Sequence, residues 1–406
     1  MKLTDLKIAV GHDDLTVPYA GGEKVFSAIA EAFPKADIFT SMITPEWASK
    51  ISNLNKDSNT SYKRKIITTF MQRFPFKRKL QKPLFALYPL AFESIDLSDY
   101  DLVVSSSSRF AHGVITRPET KHICYMHSPG RMFWEPDFYF GPDSRLKTIL
   151  TPILSYLRLW DHTAAQRVDQ LVANSKNVAG KIKSYYGREA EVIYPFVDLE
   201  RFKPNNQTTK QPENYYLVVT RLASWKRVEI AVEAAKQAGV NLKVVGIGPD
   251  EKRLEKLARS QESGAKSKKV EILGGVGDEE LVGLFQNCSA LVMTQEEDFG
   301  ITSLEAQACG KPVIAYGRGG ALENVIPGKT GEFFDSQDLE VLAKVLKKFD
   351  PNRYRPEDCR KNAERFSKER FQKELLKIAA RVVGVEDDPP KAGSNFNGER
   401  KVTMIK

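Results

Sequence analysis

Two acidic side chains, Glu297 and Glu305, stand with seven residues between them in the run Glu297-Asp298-Phe299-Gly300-Ile301-Thr302-Ser303-Leu304-Glu305. The apolar run ALVMT (Ala290–Thr294) before them reads as a strand, and ITSLEAQACG after Gly300 reads as a helix. Glu297 then lies in the loop at the sheet edge and Glu305 in the first turns of the helix. A carboxylate accepts hydrogen bonds from hydroxyl groups, and the free N–H groups of a helix start at Gly300, Ile301 and Thr302 favour an anion. One element could therefore hold a sugar hydroxyl, a phosphate and a ribose together. The same residues also suit a helix start with no ligand. Thr302-Ser303-Leu304-Glu305 has the T-x-x-E pattern of a capping box, and Glu296 and Glu297 complement a helix N-terminus. The residues alone leave both readings open.

Other chemistry-bearing residues also follow strand-like runs. Arg221 and Lys226, in TRLASWKR, come after the first strand of the second half, where two cations could clamp a diphosphate or simply form a solvated loop. Gly246, in the tight turn Gly246-Ile247-Gly248, follows the next strand and joins the candidate ligand-binding positions. This lone GxG completes no dinucleotide fingerprint. Near the N-terminus, Gly21 and Gly22 open a helix after the run Lys7–His12, so a backbone can approach a bulky ligand there, or merely turn tightly. His127 and Arg131 follow HICYMHS and should face the same crevice, although a hydrogen-bonded core histidine would fit His127 as well. The only DxD, Asp99-Tyr100-Asp101, precedes its strand, at the wrong end of a sheet for a ligand, so no metal site is expected.

The elements that must position these groups are alternating strands and helices. In the first half the strand candidates are Lys7–His12, Ala36–Met42, Asp101–Ser107, His122–Ser128, Gln170–Ser175 and Glu191–Phe196. In the second half they are Tyr215–Leu222, Leu242–Gly248, Val270–Gly275, Ala290–Thr294 and Pro312–Tyr316. Near-continuous apolar strands separated by amphipathic helices mean parallel sheets covered on both faces, with ligands beyond the carboxyl ends of the strands. The expected fold class is α/β, with two Rossmann-like parallel-sheet domains facing across a cleft. The first spans 1–202, a polar linker 203–214, and the second 215–384. The helical run Lys368–Val383 closes the second unit or crosses back to the first, and 385–406 reads as a disordered tail.

Composition narrows the class. The chain has 406 residues, 41% of them hydrophobic and 28% charged, and no run approaches the ~18 apolar residues of a membrane span. Its start lacks the apolar core of a signal peptide, and its four cysteines show no CxxC spacing. A reduced, cytoplasmic protein is expected. The net charge is +9, but the acid-free stretch from Ser58 to Phe92 alone carries eight cations, so the rest is nearly neutral and no nucleic-acid partner is expected. Within that stretch, Lys63 to Lys82 interleaves cations with Ile66, Ile67, Phe70, Met71 and Phe74. This spacing suggests a basic amphipathic helix on an anionic membrane surface, or a helix packed on the domain with a basic rim.

Taken together, these segments resemble the retaining glycosyltransferases of family 4, the "group 1" glycosyltransferases, which have the GT-B fold. The resemblance runs from about Lys7 to Val383. The family's E-x7-E motif reads as Glu297 to Glu305, its paired basic residues as Arg221 and Lys226, and its glycine-rich N-terminal loop as Gly21-Gly22. Tyr194–Phe202 (YPFVDLERF) resembles the family's passage into the second domain. The resemblance implies that Glu297 holds donor-sugar hydroxyls, that Glu305 holds the ribose, and that Arg221 and Lys226 neutralise the departing diphosphate. Backbone N–H groups from Gly300 to Thr302 would cap a phosphate, with Gly21 and Gly22 giving it room. The stretch Tyr125–Trp134 resembles the YxHxPxRxxW of bacterial mannosyltransferase-like members, which would put His127 near the donor sugar and Arg131 beside it. It favours GDP-mannose over a UDP-sugar as donor. The implied acceptor is a saccharide or polyprenyl-linked saccharide of the cell envelope, met at the inner face of the membrane. Retention without an enzymic nucleophile, no cofactor and no metal are implied too. Two other classes fit less: a catalytically silent nucleotide-sugar-binding scaffold, and a nucleic-acid-binding protein.

Overall fold

A computed structural model describes residues 2–17, 21–54, 62–74, 84–141, 144–205, 214–260 and 269–385. The first half forms a seven-stranded sheet from β1 (Ile8–His12), β2 (Asp37–Thr40), β3 (Ile66–Thr68), β4 (Leu102–Ser107), β5 (Lys121–Met126), β6 (Gln170–Ala173) and β7 (Glu191–Val192). Its order is β3-β2-β1-β4-β5-β6-β7, with every described pairing parallel. The second half forms a six-stranded sheet from β8 (Tyr215–Val219), β9 (Asn241–Val245), β10 (Val270–Gly274), β11 (Ala290–Met293), β12 (Val313–Tyr316) and β13 (Gly331–Phe334), ordered β10-β9-β8-β11-β12-β13 and again parallel. This is the expected α/β architecture of two Rossmann-like sheets.

The central strands are rich in apolar residues because helices cover both of their faces. Val10, Val104 and Ile123 pack on one side of the first sheet, Ala9, Val103 and Phe39 on the other. Strand order reverses between β1 and β4 in one sheet and between β8 and β11 in the other. At such a reversal the flanking crossovers leave the sheet in opposite directions and open a crevice beyond the strand ends. His12 ends β1, and Arg221, Lys226 and Glu297 follow β8 and β11, the strands that flank the reversals.

The helix Lys368–Val383 crosses back to the first domain. Phe371, Leu375, Ile378 and Ala379 join Phe26, Ile29 and Tyr125 in one cluster, so the chain's last described helix ties the second half to the first sheet.

One expected element differs. Lys63–Phe74 does not form a basic amphipathic helix: Ile66–Thr68 is the edge strand β3, and Phe70–Arg73 is one 3-10 turn. The four consecutive β-branched residues from Ile66 to Thr69 prefer the pleated surface to a helix. Arg64 does not face a membrane either. It is buried, and its guanidinium donates to Ala36 O at 3.1 Å and Ala30 O at 2.7 Å, near the C-terminal end of the helix Gly21–Ala32. Lys77, Arg78, Lys79 and Lys82, most of the linker, and the tail expected to be disordered lie outside the described residues. The four cysteines are buried and free, burial pushing each thiol up to about 12.

Candidate active site

On the second sheet, Glu297 leaves β11 in a loop held from three sides. Its Oε1 accepts from Lys226 Nζ at 2.6 Å and from Gln295 Nε2 at 2.7 Å, and its carbonyl accepts from Gly320 N at 2.8 Å. Burial pushes the Glu297 carboxyl up, but Lys226, Gln295 and Arg131 outweigh it and hold it below its usual 4.5. It is therefore a carboxylate at neutral pH. Arg221, five residues before Lys226, is exposed, and its side chain has no hydrogen bond or ion pair among the described residues.

Gly300 turns the chain with φ 86° into the helix Ile301–Ala308. That left-handed value favours glycine, and an added Cβ would sit 2.9 Å from Met293 Cε. No side chain caps the helix, so the T-x-x-E capping box is not formed. Glu305 is buried and instead accepts from Lys24 Nζ at 3.2 Å, a contact to the first helix of the other domain. The first N–H groups at Ile301 and Thr302 thus lack the side-chain acceptor a cap would supply.

Across the cleft, Gly21 and Gly22 start the helix Gly21–Ala32. A Cβ on Gly21 would touch Ile301 Cδ1 at 3.4 Å, which places the glycine pair against the helix start of the second domain. Gly246 leaves β9 with φ 144°, its N–H donating to Gly274 O at 2.8 Å, and lies so close to Thr220 that a Cβ there would meet the Thr220 carbonyl at 1.8 Å.

His127 follows β5 and is half-buried, with Nε2 2.8 Å from Ser106 Oγ. Ser106 Oγ is in turn 3.2 Å from His12 Nδ1, and Ser106 O is 3.0 Å from the same nitrogen. His12 Nε2 lies 4.0 Å from Glu23 Oε1. Burial opposes a charge on both histidines, with different results. Glu23, Asp13 and Asp14 outweigh burial at His12 and hold it above 6.5, whereas burial and the nearby His12 push His127 down to about 4. A charged His12 donates from Nδ1 to Ser106, Ser106 Oγ donates to His127 Nε2, and the single proton of neutral His127 must then sit on Nδ1. Nitrogen-15 NMR near pH 6.5 should find that tautomer, and Ser106→Ala should abolish the preference. An unchanged tautomer in the variant would contradict the chain of donors. Since the folded His12 value is raised and that of Glu23 is lowered from 4.5, their ion pair stabilises the protein below 6.5 while Glu23 stays ionised, and it fades as pH rises through the raised His12 value.

Arg131 is engaged differently from a side chain open to ligand. Its Nη2 pairs with Asp298 Oδ2 at 2.7 Å, and Lys181 reaches Asp298 at 3.1 Å and Glu135 at 2.7 Å. Glu323 of the second domain accepts from Lys176 N at 2.8 Å and Asn177 N at 3.0 Å, capping the helix Lys176–Tyr186 of the first. Tyr139 and Trp225 stack with ring centroids 4.9 Å apart across the same junction. The two domains are thus held face to face by groups ringing the candidate site. Lys24, Lys181, Asp298 and Glu323 were not singled out from sequence, because no local spacing links residues more than a hundred positions apart. Gly319 and Gly320 were missed as well, although their signal, a glycine pair after strand β12, is the one that marked Gly21 and Gly22. A Cβ on Gly320 would meet Phe299 Cα at 2.3 Å, so this pair lets its loop press against Glu297–Gly300.

Asp99 and Asp101 precede β4, where Asp101 accepts from Lys7 N at 2.8 Å and Asp99 pairs with Lys7 Nζ at 3.2 Å. Among the described residues, no group of three or more His, Cys, Asp or Glu side chains is arranged to hold a metal ion, and no helix is long and apolar enough to cross a membrane.

Glycine-lined helix starts, two carboxylates and free or lightly paired cations beyond two sheet reversals can bind an anionic, hydroxyl-rich ligand. The family description "Glycosyl transferases group 1" matches residues 200–366, and "Glycosyltransferase Family 4" matches residues 19–201. The chain belongs to the group 1, family 4 glycosyltransferases. Among curated relatives, an uncharacterized glycosyltransferase of Methanocaldococcus jannaschii is 27% identical over 221 residues, 54% of this chain and 60% of that protein. A D-inositol 3-phosphate glycosyltransferase of Streptomyces avermitilis is 29% identical over 205 residues, 45% of this chain and 44% of that protein. The chain thus spans about half the length of the curated relatives it matches. Among solved structures, sucrose-phosphate synthase from Thermosynechococcus elongatus superposes with a TM-score of 0.70 at 18% identity, covering 93% of this chain and 99% of that one. Anabaena HepE in complex with UDP and glucose superposes with a TM-score of 0.66 at 18% identity, covering 92% and 99%. This likeness extends the GT-B fold over both domains of the glycosyltransferase.

Proposed function

We propose that this glycosyltransferase is a retaining hexosyltransferase that uses a nucleoside-diphosphate sugar and needs no metal. The observation that carries the reading is the pairing of Lys226 with Glu297 at the sheet reversal, beside exposed Arg221 and an uncapped helix start at Gly300. As the bond from the anomeric carbon to the diphosphate breaks, negative charge grows on the leaving oxygen. Arg221, Lys226 and the N–H groups of Ile301 and Thr302 supply the positive field for it. Glu297 takes sugar hydroxyls, Glu305 the ribose, and His127 Nδ1–H a sugar oxygen on the first domain's side. The acceptor oxygen bonds to the anomeric carbon on the face the diphosphate leaves, and its proton passes to the leaving phosphate oxygen.

For the donor, the stretch Tyr125–Trp134 favours GDP-mannose, whereas the printed title of the HepE structure names UDP and glucose. A saccharide or polyprenyl-linked saccharide of the cell envelope is the proposed acceptor, although the name D-inositol 3-phosphate glycosyltransferase among the relatives adds a cyclic polyol phosphate to the acceptors worth assaying. Thermal unfolding against GDP, UDP, ADP and CMP in EDTA separates these readings. A nucleotide at about 100 times its dissociation constant should stabilise the native chain by ~2.7 kcal/mol. A response to GDP alone supports the mannosyl donor, and a response to UDP alone replaces it while keeping the transferase. No response to any nucleotide, or one that appears only when a divalent cation replaces EDTA, contradicts the site or its metal independence respectively.

A further inference from the structure

Lys226 and Glu297 come from different loops of the second domain, and each has a chain neighbour that reaches the first domain. Trp225 stacks on Tyr139, with ring centroids 4.9 Å apart and planes 20° from parallel. Asp298 Oδ2 pairs with Arg131 Nη2 at 2.7 Å. Both first-domain partners belong to one short segment, residues 131–140, which holds the helices Arg131–Trp134 and Pro136–Phe140. The 2.6 Å bond between Lys226 Nζ and Glu297 Oε1 is thus flanked in both of its loops by a contact to the same segment.

The segment is fixed firmly enough to transmit position. Its middle is anchored in the first domain. Phe133 is fully buried in one cluster with Phe110 and Trp160, and Trp134 stacks on Tyr185 at 4.7 Å while its Nε1 donates to Asp161 Oδ2 at 2.7 Å. Its two ends are tied together, since the Arg131 guanidinium lies 4.9 Å from the centre of the Phe138 ring, next in sequence to Tyr139. Lys181 brings a second first-domain cation to Asp298 at 3.1 Å and joins Glu135 of the segment at 2.7 Å. The turn that receives the stack needs outside support. Ser224–Lys226 is a single 3-10 turn closed by Arg227 at φ 54°, and among the described residues no other non-glycine has a positive φ. Such a conformation persists where its surroundings over-determine it. Within the second domain, Thr294 Oγ1 donates to Lys226 O at 3.0 Å and holds the turn from one side. The Trp225 stack holds it from the other, and a stacked pair fixes orientation as well as distance.

We infer that residues 131–140 form a strap that registers the Lys226–Glu297 pair against the first domain, and that Tyr139, Trp225 and Asp298 are positioning residues for sugar transfer. They act through Lys226 and Glu297, so the inference rests on the roles proposed for that pair. The experiment on the full chain has two arms, and the first needs no donor. The amides of Lys226 and Arg227 are hydrogen-bonded within their turn, to Ala223 O at 2.8 Å and Ser224 O at 3.1 Å. Their exchange with deuterium should speed by about tenfold or more in Tyr139→Ala, although Tyr139 lies in the other domain. Unchanged exchange would overturn the strap. The second arm measures release of nucleotide from GDP-mannose and from UDP-glucose. Trp225→Ala and Tyr139→Ala should each lower kcat by about 10–10²-fold, the scale of a small misplacement of reacting groups. Affinity for the nucleotide alone, which the second domain holds, should stay within about threefold. Trp225→Phe keeps a ring that can stack and should recover most of kcat. The double alanine variant should be no slower than the slower single one, because both cut the same contact. Losses that multiply, a Trp225→Phe as slow as Trp225→Ala, or a loss confined to nucleotide affinity or melting temperature would each overturn the inference. A wild type that turns over neither donor would contradict the proposed function, and the exchange arm would still decide the strap.

Discussion

Lys226→Ala should lower kcat by about 10²–10³, the loss typical when one preorganised group aimed at developing charge is removed. The mechanism predicts the kinetic form of the loss as well as its size. An interaction that strengthens only as the diphosphate departs lowers kcat and kcat/KM together and leaves KM nearly unchanged. Lys226 has a second duty that must be separated from this one. It sits 2.6 Å from Glu297, and the pair keeps the Glu297 carboxyl below 4.5. Without the ammonium, Glu297 keeps Gln295 but loses its chief counter-charge, so its pKa rises. Because the folded value in the wild type is depressed, that pair stabilises the protein above 4.5 and the contribution fades as pH falls through the folded value. Lys226→Ala should therefore narrow the difference in stability between neutral and acid pH. Lys226→Arg restores charge at a different reach and should recover part of kcat. A variant within about threefold of wild type in kcat would mean that Lys226 only holds Glu297.

The architecture was readable because parallel strands buried on both faces leave an apolar run, and the runs at β1, β4, β5, β8, β9, β11 and β12 stand out against polar helix-starting loops. Where that contrast weakens, the reading weakens. β13 (GEFF) is four residues between turns, and β3 lies at an edge, flanked by cations and half-buried, so its apolar residues mimicked a helical face. Arg64 shows why counting charges does not locate a charged surface: a cation in the most basic stretch is spent on two backbone carbonyls.

The site divides in the same manner. Candidates directly after central strands could be placed from sequence because the fold fixes what a strand end must face. Their partners were not, because contacts such as Lys24 with Glu305 or Arg131 with Asp298 join segments folded in different domains. The T-x-x-E pattern shows the limit most clearly. Local sequence offers Glu305 a cap, but with Gly300 as the N-terminal residue and Lys24 across the cleft, the carboxylate takes the distant cation instead.

That choice makes Glu305→Ala the sharpest test of the nucleotide site. A carboxylate accepting two ribose hydroxyls gains about 1.5–3 kcal/mol from each charged hydrogen bond, so its removal should weaken nucleotide binding by roughly 10² or more. Ribose is common to every nucleotide, so the loss should be alike for whichever base the enzyme prefers. The decisive comparison uses 2′-deoxynucleotides. Wild-type protein should bind them less well than the ribonucleotide, while Glu305→Ala should scarcely distinguish the two, since the acceptor for the missing hydroxyl is already gone. Lys24→Ala supplies the contrast. It cuts the same interdomain ion pair, 3.2 Å in length, while leaving the carboxylate in place. If Glu305 served only to tie the two helices together, both variants would lower the melting temperature alike and both would still discriminate ribose from deoxyribose as the wild type does. If it holds the ribose, discrimination survives in Lys24→Ala and disappears in Glu305→Ala. Nucleotide and lysine would then compete for one buried carboxylate, and donor binding would loosen a contact that holds the two domains together.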